Sequence, residues 1–250
     1  MVADTTAAVQ FSIGRVIGDS IGIYARNFVS FSVLALVIGL LDLLVDIFYV
    51  APAQAAALGQ VDFVPIAVGF LVATLTSSLT QATIIYGTLQ DLRGSRAGIG
   101  DCISRGLASI IPVIVASIIM SVAVGLASLL LIIPGIILTL IWWVYVPVIV
   151  VEGKSITDSF GRSRDLTRGH RWAILGLVII VIVLSVAVGY LITVVSTVVG
   201  AGADLTPSIL NYVATSLIAA FGAVLVAVGY YYLRVEKEGV DVNQIASVFD

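Results

Sequence analysis

Apolar residues are gathered into long stretches, separated by shorter intervals that hold most of the charged side chains. A helix needs about 20 apolar residues to cross the roughly 30 Å hydrocarbon core of a bilayer. The pattern therefore predicts an all-α, polytopic membrane protein with six transmembrane helices in one domain. We place the six helices at residues 28–50, 62–90, 106–132, 136–151, 172–199 and 207–233.

The third and fourth helices come from one uncharged tract that runs from Gly106 to Val151. At about 1.5 Å per residue, a single helix of this length would reach about twice the bilayer core. Pro134-Gly135 lies a little past the middle of the tract, and this pair predicts a tight hairpin there. Pro112 and Pro147 are expected to bend the two helices near their cytoplasmic ends, where neighbours or water can satisfy the freed carbonyls.

A short amphipathic helix is expected to lie on the membrane surface before each of the three hairpins. In the first, one face carries the apolar set Phe11, Ile13, Val16, Ile17 and Ile21. The alternative is that this segment is the frayed start of the first span. Three such surface helices, each followed by a hairpin of two spans, would make the chain a threefold repeat of one structural unit. The alternative is a coincidence among apolar residues of low complexity.

Each of these segments carries an opposite-charge pair four residues apart, which marks an exposed helical face. The pairs are Arg15 with Asp19, Asp101 with Arg105, and Asp158 with Arg162. The third segment is the best formed. Ser155 has the position of an N-cap, and an inner face is expected at Ile156, Phe160, Ser163 and Thr167. A plain basic loop is the alternative for this third segment.

Composition supports the membrane class and removes others. Hydrophobic residues make up 60% of the chain, charged residues 11%, and the mean hydropathy is +1.17. Soluble domains usually carry about 25% charged residues. The net charge of −3 gives no basic footprint for nucleic acid, and the single Cys102 leaves no intrachain disulfide.

The basic residues define an orientation. The loops after the first, third and fifth spans contain no Lys or Arg. The positive-inside rule therefore predicts a multi-pass protein with both termini and both long polar intervals in the cytoplasm. Residues expected at the interface or against lipid headgroups are Arg93, Arg96, Lys154, Arg162, Arg164, Arg168, Arg171, Trp172 and Arg234.

Candidate chemistry is sparse. No common nucleophile, zinc or nucleotide motif occurs, and His170 at a helix end is expected to be an interfacial residue. We expect no catalytic residue, metal site or cofactor. The intramembrane polar candidates are Asp42, Asp46 and Gln81. Asp42 lies about 21 Å along the first span, where a carboxylate suits ion-linked transport, a small hydrated vestibule or a hydrogen bond within the bundle.

Nearly the whole chain resembles a known family, and most of the motifs that carry the resemblance lie in one stretch. The stretch from Ile133 to Leu177 contains Pro134-Gly135, Glu152-Gly153, Leu166–Gly169 and Trp172. It resembles the membrane domain associated with some bacterial glycerophosphoryl diester phosphodiesterases. DLRG at 91–94 and YYYLRVEKEGVD at 230–241 are also similar. The resemblance implies a six-span bundle in the cytoplasmic (inner) membrane with a lipid-related or support role. It implies no catalytic residue, because the chemistry of those proteins belongs to a separate soluble barrel.

Two functions remain open at this point. The first is a non-enzymatic membrane protein whose basic cytoplasmic face binds anionic lipid headgroups or a protein partner, with a homo-oligomer also possible. The alternative is a small transporter or channel that uses Asp42 and a polar stripe of the second span. This stripe is expected to face other helices rather than lipid, and it consists of Thr74, Ser77, Ser78, Gln81 and Thr88. A cavity lined by Asp42 and Gln81 would favour transport, and a solid bundle would favour the scaffold.

Overall fold

A computed structural model describes residues 11–50, 62–95, 98–199 and 206–239. Every regular element in these ranges is helical. Arg96, the segments 51–61 and 200–205, and the C-terminal tail lie outside the described residues. The helices are α1 (Ile13–Arg26), α2 (Phe28–Val45, continued by a π-helical turn at Asp46–Val50), α3 (Phe63–Leu92), α4 (Ile99–Ala108), α5 (Ile110–Leu130), α6 (Ile132–Ile141), α7 (Tyr145–Glu152), α8 (Ile156–Thr167), α9 (Arg171–Val199) and α10 (Thr206–Glu238).

Six helical segments are long and apolar enough to cross a membrane, so the predicted fold class is confirmed. They pair as α2 with α3, α5 with α6–α7, and α9 with α10. The short helices α1, α4 and α8 each precede one of these hairpins. Helices α3 and α10 form the centre, since each packs on the other and on α2. Helix α9 lies at the periphery, where its apolar surface is largely exposed.

The hairpin between the third and fourth spans turns earlier than the sequence predicted. The break is at Leu131, which has extended backbone, and Pro134 lies in the first turn of α6. A proline is tolerated there because the first N–H groups of a helix have no intrahelical acceptor. Gly135 instead permits close packing, because a Cβ at this position would lie 1.9 Å from Oγ of Ser128. The fourth span consequently begins at Ile132 rather than at residue 136.

A second break divides the fourth span at Trp142–Val144, one turn before Pro147. The lost helical bonds are replaced by side chains of α8. Ser163 donates to the carbonyl of Ile141 at 3.0 Å and accepts from the backbone N–H of Val144 at 3.2 Å. Thr167 also donates to the Ile141 carbonyl, at 3.1 Å. The predicted inner face of α8 is thus correct at Ser163 and Thr167, and it supports a broken span.

The surface helices differ from the predictions in two details. On α1, Val16 is buried as expected, but Ile21 is 55% exposed and the inner face continues through Ile23. The acids of the i,i+4 pairs have other partners. Asp19 accepts from the hydroxyl of Tyr232, and Asp158 accepts from Oγ of Ser155 at 2.5 Å. These acids therefore connect or cap helices as well as marking an exposed face.

The polar stripe of α3 faces its neighbours, as predicted for hydroxyls in a membrane span. Thr74, Ser78 and Thr88 are buried, whereas Ser77 is exposed. Ser78 donates to Oγ of Ser117 at 3.1 Å, and Ser117 lies 2.9 Å from the hydroxyl of Tyr145. The stripe thereby contributes a hydrogen-bonded contact among α3, α5 and α7.

Candidate functional site

One end of the bundle carries α1, α4 and α8 together with the last turns of α10, and we call it the basic end. Every basic residue in the described ranges lies on these elements or on the segments that adjoin them. The other end carries the acidic residues Asp42, Asp46 and Asp62. The basic residues are therefore gathered at one end of the bundle, together with acidic residues such as Glu152, Glu236 and Glu238, whereas the described charged residues of the other end are acidic.

A set of five side chains, which we call the polar clamp, ties the basic end together. Glu152 at the end of α7 accepts from the hydroxyl of Tyr230 at 2.8 Å and from Nε of Arg162 at 3.1 Å. Arg162 also pairs with Glu238, which accepts from Nε of Arg234 at 2.8 Å. The clamp joins α7, α8 and α10 by charge-assisted bonds, which are stronger than neutral ones.

The clamp changes the interpretation of two predicted headgroup residues. Burial alone lowers the pKa of the Arg162 guanidinium. Hydrogen bonds and the charges of Glu238 and Glu152 outweigh that effect and raise this pKa above its ordinary value. Arg162 is held by two carboxylates, and Arg234 is held by Glu238 and by Tyr230 at 3.3 Å. These arginines stabilise the helix junctions and are poorly placed for a lipid phosphate.

Glu236 makes a second connection at the basic end. Its Oε2 accepts from the backbone N–H of Phe11 at 2.7 Å, and its Oε1 lies 3.2 Å from Nε2 of His170. The ring of His170 packs on Phe11, with centroids 5.3 Å apart. His170 thus contacts the start of α1 and the end of α10, a role that its sequence position at a helix end did not reveal.

Three arginines between Glu152 and Trp172 lie outside the polar clamp, and they surround a cleft between α8 and α9. The cleft has a volume of about 620 Å³, and we call it the basic cleft. Arg164 and Arg168 are exposed and lie one helical turn apart. Nε of Arg171 is buried without a hydrogen-bond acceptor in the described part of the chain. The lining residues are Gly161, Arg164, Asp165, Arg168, Gly169, Arg171 and Trp172.

The backbone of the basic cleft is set by Gly169. This residue has φ of +94°, a conformation that side chains with a Cβ rarely adopt, and it separates α8 from α9. The sequence of this segment thus ends α8 at a glycine, as is common at helix C-termini. Trp172 follows in the first turn of α9 and is 85% exposed. The turn therefore places a helix N-terminus, a large amphipathic ring and three guanidinium groups around one opening.

The other predicted headgroup residues lie elsewhere. Arg93 follows the last residue of α3, and Arg96 is outside the described residues. Nζ of Lys154 lies 3.9 Å from Oε2 of Glu152, with 41% of its side chain exposed. The predicted set thus separates into the polar clamp, the basic cleft and two described residues outside both, Arg93 and Lys154.

A larger cavity lies at the opposite end, between α2, α9 and α10. Its volume is about 770 Å³, and we call it the acidic cavity. Its two charged lining residues are Asp42 and Asp46, which share one face of α2. The lining residues are Gly39, Asp42, Leu43, Asp46, Gly189, Ile192, Thr193, Ser196, Thr197, Ser208, Asn211, Tyr212, Thr215 and Ser216.

The α2 wall of the acidic cavity is fixed by contacts with α3 and α10. Thr76 on α3 donates to Oδ2 of Asp42 at 2.5 Å. Tyr212 donates its hydroxyl proton to the carbonyl of Leu36. Gly39 allows this approach, because a Cβ there would lie 3.3 Å from the Tyr212 ring and 3.1 Å from Oγ of Ser216. Asp42 is therefore a positioned carboxylate.

Gln81 does not belong to the acidic cavity. It lines a smaller cavity of about 260 Å³ with Ser77, Thr80 and Trp143. A cavity lined by both residues would have favoured transport, but in the described part of the chain Asp42 and Gln81 line separate cavities. Although both α2 and α3 carry polar residues, the two side chains face different neighbours because the residues lie at different heights and rotations in the bundle.

The six spanning-length helices and the segregated charges define a multi-span helical membrane protein. A family model described as Domain of unknown function (DUF7847) matches residues 94–236, more than half of the chain, and the chain belongs to this family. No curated protein and no solved structure matches it. The family match assigns no activity and gives no support to the glycerophosphoryl diester phosphodiesterase resemblance.

The matched region contains the basic cleft and most of the polar clamp, whereas Asp42, Asp46 and Thr76 lie before it. The sequence interpretation missed Glu152, Tyr230, Glu236 and Glu238 as partners of the basic residues. One signal was available for part of this set. Tyr230, Arg234 and Glu238 recur every four residues and so share one face at the end of α10.

Proposed function

We propose that this protein is a non-enzymatic membrane protein that binds anionic lipid headgroups through the basic cleft. The observation that carries the proposal is the arrangement of Arg164, Arg168 and Arg171 around a cleft of about 620 Å³. Guanidinium groups bind phosphate oxygens through paired, charge-assisted hydrogen bonds. Arg162 and Arg234, which lie at the same end, already have carboxylate partners.

Two further features of the basic cleft favour an anionic ligand. The N-terminus of α9 adjoins the cleft, and helix N-termini attract negative charge through their free N–H groups and the helix dipole. The buried Nε of Arg171 is a donor that an acceptor on a ligand would satisfy. Trp172, which is 85% exposed, has the amphipathic character of residues that anchor proteins at the headgroup level.

The proposed location follows from the same charges. We place the basic end, with both chain termini, on the cytoplasmic side of a bacterial inner membrane, because juxtamembrane Lys and Arg favour that side. An anionic leaflet would then face the basic cleft. The sequence resemblance to the glycerophosphoryl diester phosphodiesterase membrane domain also favours a lipid-related role. A protein partner or a second copy of the chain at this face remains compatible with the proposal.

The test is native mass spectrometry of the purified protein with added phosphatidylglycerol or phosphatidylcholine. Wild-type protein should retain phosphatidylglycerol more strongly. Each basic residue near an anionic surface contributes about 1 kcal/mol, so Arg168→Gln should weaken retention about fivefold. Lys237→Gln is the matched control, because Lys237 is exposed at the same end but does not line the cleft. Equal retention of the two lipids, or equal effects of the two substitutions, would contradict the proposal.

A second candidate is a small transporter, and the acidic cavity favours it. Its carboxylates lie on a helix of spanning length, among hydroxyl and amide groups of α9 and α10, and ionisable residues within spans often mark a transport path. The experiment is cation flux into liposomes that contain the purified protein. Asp42→Asn should abolish the flux, while Asp62→Asn, a change at the cap of α3 outside the cavity, should preserve it. Flux that survives Asp42→Asn would reject this candidate.

A further inference from the structure

We infer that the acidic cavity is a binding site for an organic cation, in which an ammonium group is attached to a carbon body. The inference takes its site from the second candidate function but requires only binding, not transport. The cavity volume of about 770 Å³ falls within the roughly 300–1,000 Å³ of sites for small organic molecules. The lining combines a few charged and polar groups with apolar surface, as such sites usually do.

The charge of the lining selects the sign of the ligand. Helix α2 contributes Asp42 and Asp46, and neither α9 nor α10 contributes a basic residue to the cavity. The lining groups from α9 are Thr193, Ser196 and Thr197 with Gly189 and Ile192, and those from α10 are Ser208, Asn211, Tyr212, Thr215 and Ser216. The basic residues of the described ranges lie at the other end of the bundle. A cation is therefore the ligand whose charge this wall complements.

Hydrogen bonding at Asp42 leaves capacity for such a ligand. A carboxylate offers about four acceptor positions, and the hydroxyl of Thr76 occupies one of those on Oδ2. Across the cavity, Oγ of Ser196 is buried and has no partner in the described part of the chain. An ammonium group that carries protons could donate to the carboxylate. The Tyr212 ring, held against Gly39, offers an aromatic surface suited to a methylated ammonium.

The size and composition of the wall favour an organic cation over a bare metal ion. Calcium and magnesium sites surround the ion with six or more oxygen ligands at 2.0–2.6 Å. The acidic cavity instead spreads two carboxylates and several hydroxyls over a large volume that also includes Leu43 and Ile192. The side chains of these two residues would pack on the carbon body, and Gly39 and Gly189 leave room for it.

The first experiment measures binding of benzyltrimethylammonium by isothermal titration calorimetry, with the protein in dodecyl maltoside, a detergent without an amine. We expect saturable binding with one molecule per chain. Phenylacetate, which has a similar aromatic body and the opposite charge, should not bind. The inference is overturned if neither ligand binds to folded protein, or if the two bind equally.

The second experiment assigns the binding to the acidic cavity. Asp42→Asn and Asp46→Asn should each weaken benzyltrimethylammonium binding tenfold or more, because each removes a charge that faces the ligand. Asp46 makes this test robust, since it is exposed and its replacement places less demand on folding than a change at Asp42. Asp62→Asn makes the same chemical change outside the cavity and should leave binding unchanged. Equal affinity in the Asp42→Asn, Asp46→Asn and wild-type proteins would overturn the inference.

The third experiment distinguishes the source of the ammonium group. Phosphatidylethanolamine and phosphatidylglycerol are added separately as competitors, and spermidine is added in a parallel titration. Competition by phosphatidylethanolamine alone would identify a lipid headgroup, and competition by spermidine would identify a free amine. Stronger competition by phosphatidylglycerol than by both amines would contradict the inference. Binding without liposome flux would reject transport while supporting the cation site, so the two failures are distinguishable.

Discussion

The hydroxyl of Tyr230 donates a hydrogen bond of 2.8 Å to Oε1 of Glu152. This contact joins the last helix of the chain to the end of the fourth span, although the two residues are 78 positions apart. Tyr230 has no exposed surface, and Glu152 also holds Arg162. Through Arg162 and Glu152, α8 is therefore connected to a buried contact inside the bundle.

Tyr230→Phe should destabilise the protein by about 1–3 kcal/mol, because it leaves an acceptor on Glu152 with one donor fewer in a buried place. Unfolding in mixed micelles, followed by circular dichroism, measures this difference. The matched control is Tyr190→Phe, which makes the same change at a tyrosine that is 73% exposed on α9. Similar stability losses in the two variants would show that the Tyr230–Glu152 bond contributes little.

Ser163→Ala should also be destabilising, by about 1–3 kcal/mol, because Ser163 satisfies both Ile141 and Val144 at the break in the fourth span. The same micelle unfolding assay applies. Ser104→Ala on α4 is the control, since Ser104 is exposed and bonds only within its own helix turn. A stable Ser163→Ala protein would mean that other groups or water satisfy the break.

Two glycines of α10 give a matched test of helix packing. A Cβ at Gly229 would lie 2.4 Å from Cη2 of Trp143, whereas a Cβ at Gly222 would meet nothing within 4 Å. Gly229→Ala should therefore destabilise the bundle by about 1–3 kcal/mol through overpacking. Gly222→Ala should be neutral or stabilising by up to about 1 kcal/mol, because alanine favours helix. Thermal unfolding of both variants measures the difference in their stability. The difference disappears if α10 does not pack on Trp143 as described.

The single thiol should be unreactive at neutral pH. Cys102 is buried on α4, and burial, with a smaller effect from Asp101, raises its pKa to about 11. Because the thiolate is the nucleophile, little labelling by iodoacetamide is expected at pH 7.5, and the rate should increase as the pH approaches 11. Mass spectrometry gives the labelled fraction. Lys237→Cys, at an exposed position, should be labelled readily at pH 7.5.

This unreactive background permits a test of orientation. In right-side-out vesicles, a membrane-impermeant maleimide should label Lys237→Cys only after the vesicles are opened, if the basic end is cytoplasmic. Labelling of intact vesicles would place the C-terminal end of α10 outside and reverse the proposed topology. Wild-type protein, with Cys102 alone, is the control for labelling at buried sites.

The sequence by itself determined the spans and the surface helices. Both depend on local properties, namely the length of apolar stretches and the caps that end them. Asp62 caps α3 through the N–H of Val64 at 3.0 Å, as its position predicted, and Ser155 caps α8. The break between the third and fourth spans was misplaced by a few residues, because a proline is compatible with the first turn of a helix as well as with a turn before it.

Only the tertiary structure decided which charges are paired and which side chains meet in a cavity. Arg162 and Arg168 lie on the same short helix, yet one is held by Glu152 and Glu238 and the other lines the basic cleft. Asp42 and Gln81 are both polar residues within spans, yet they line different cavities. The physical reason is that such partners depend on how each helix is rotated and placed against its neighbours. Local hydropathy sets the length of a helix but not that rotation, which results from packing among residues far apart in the chain.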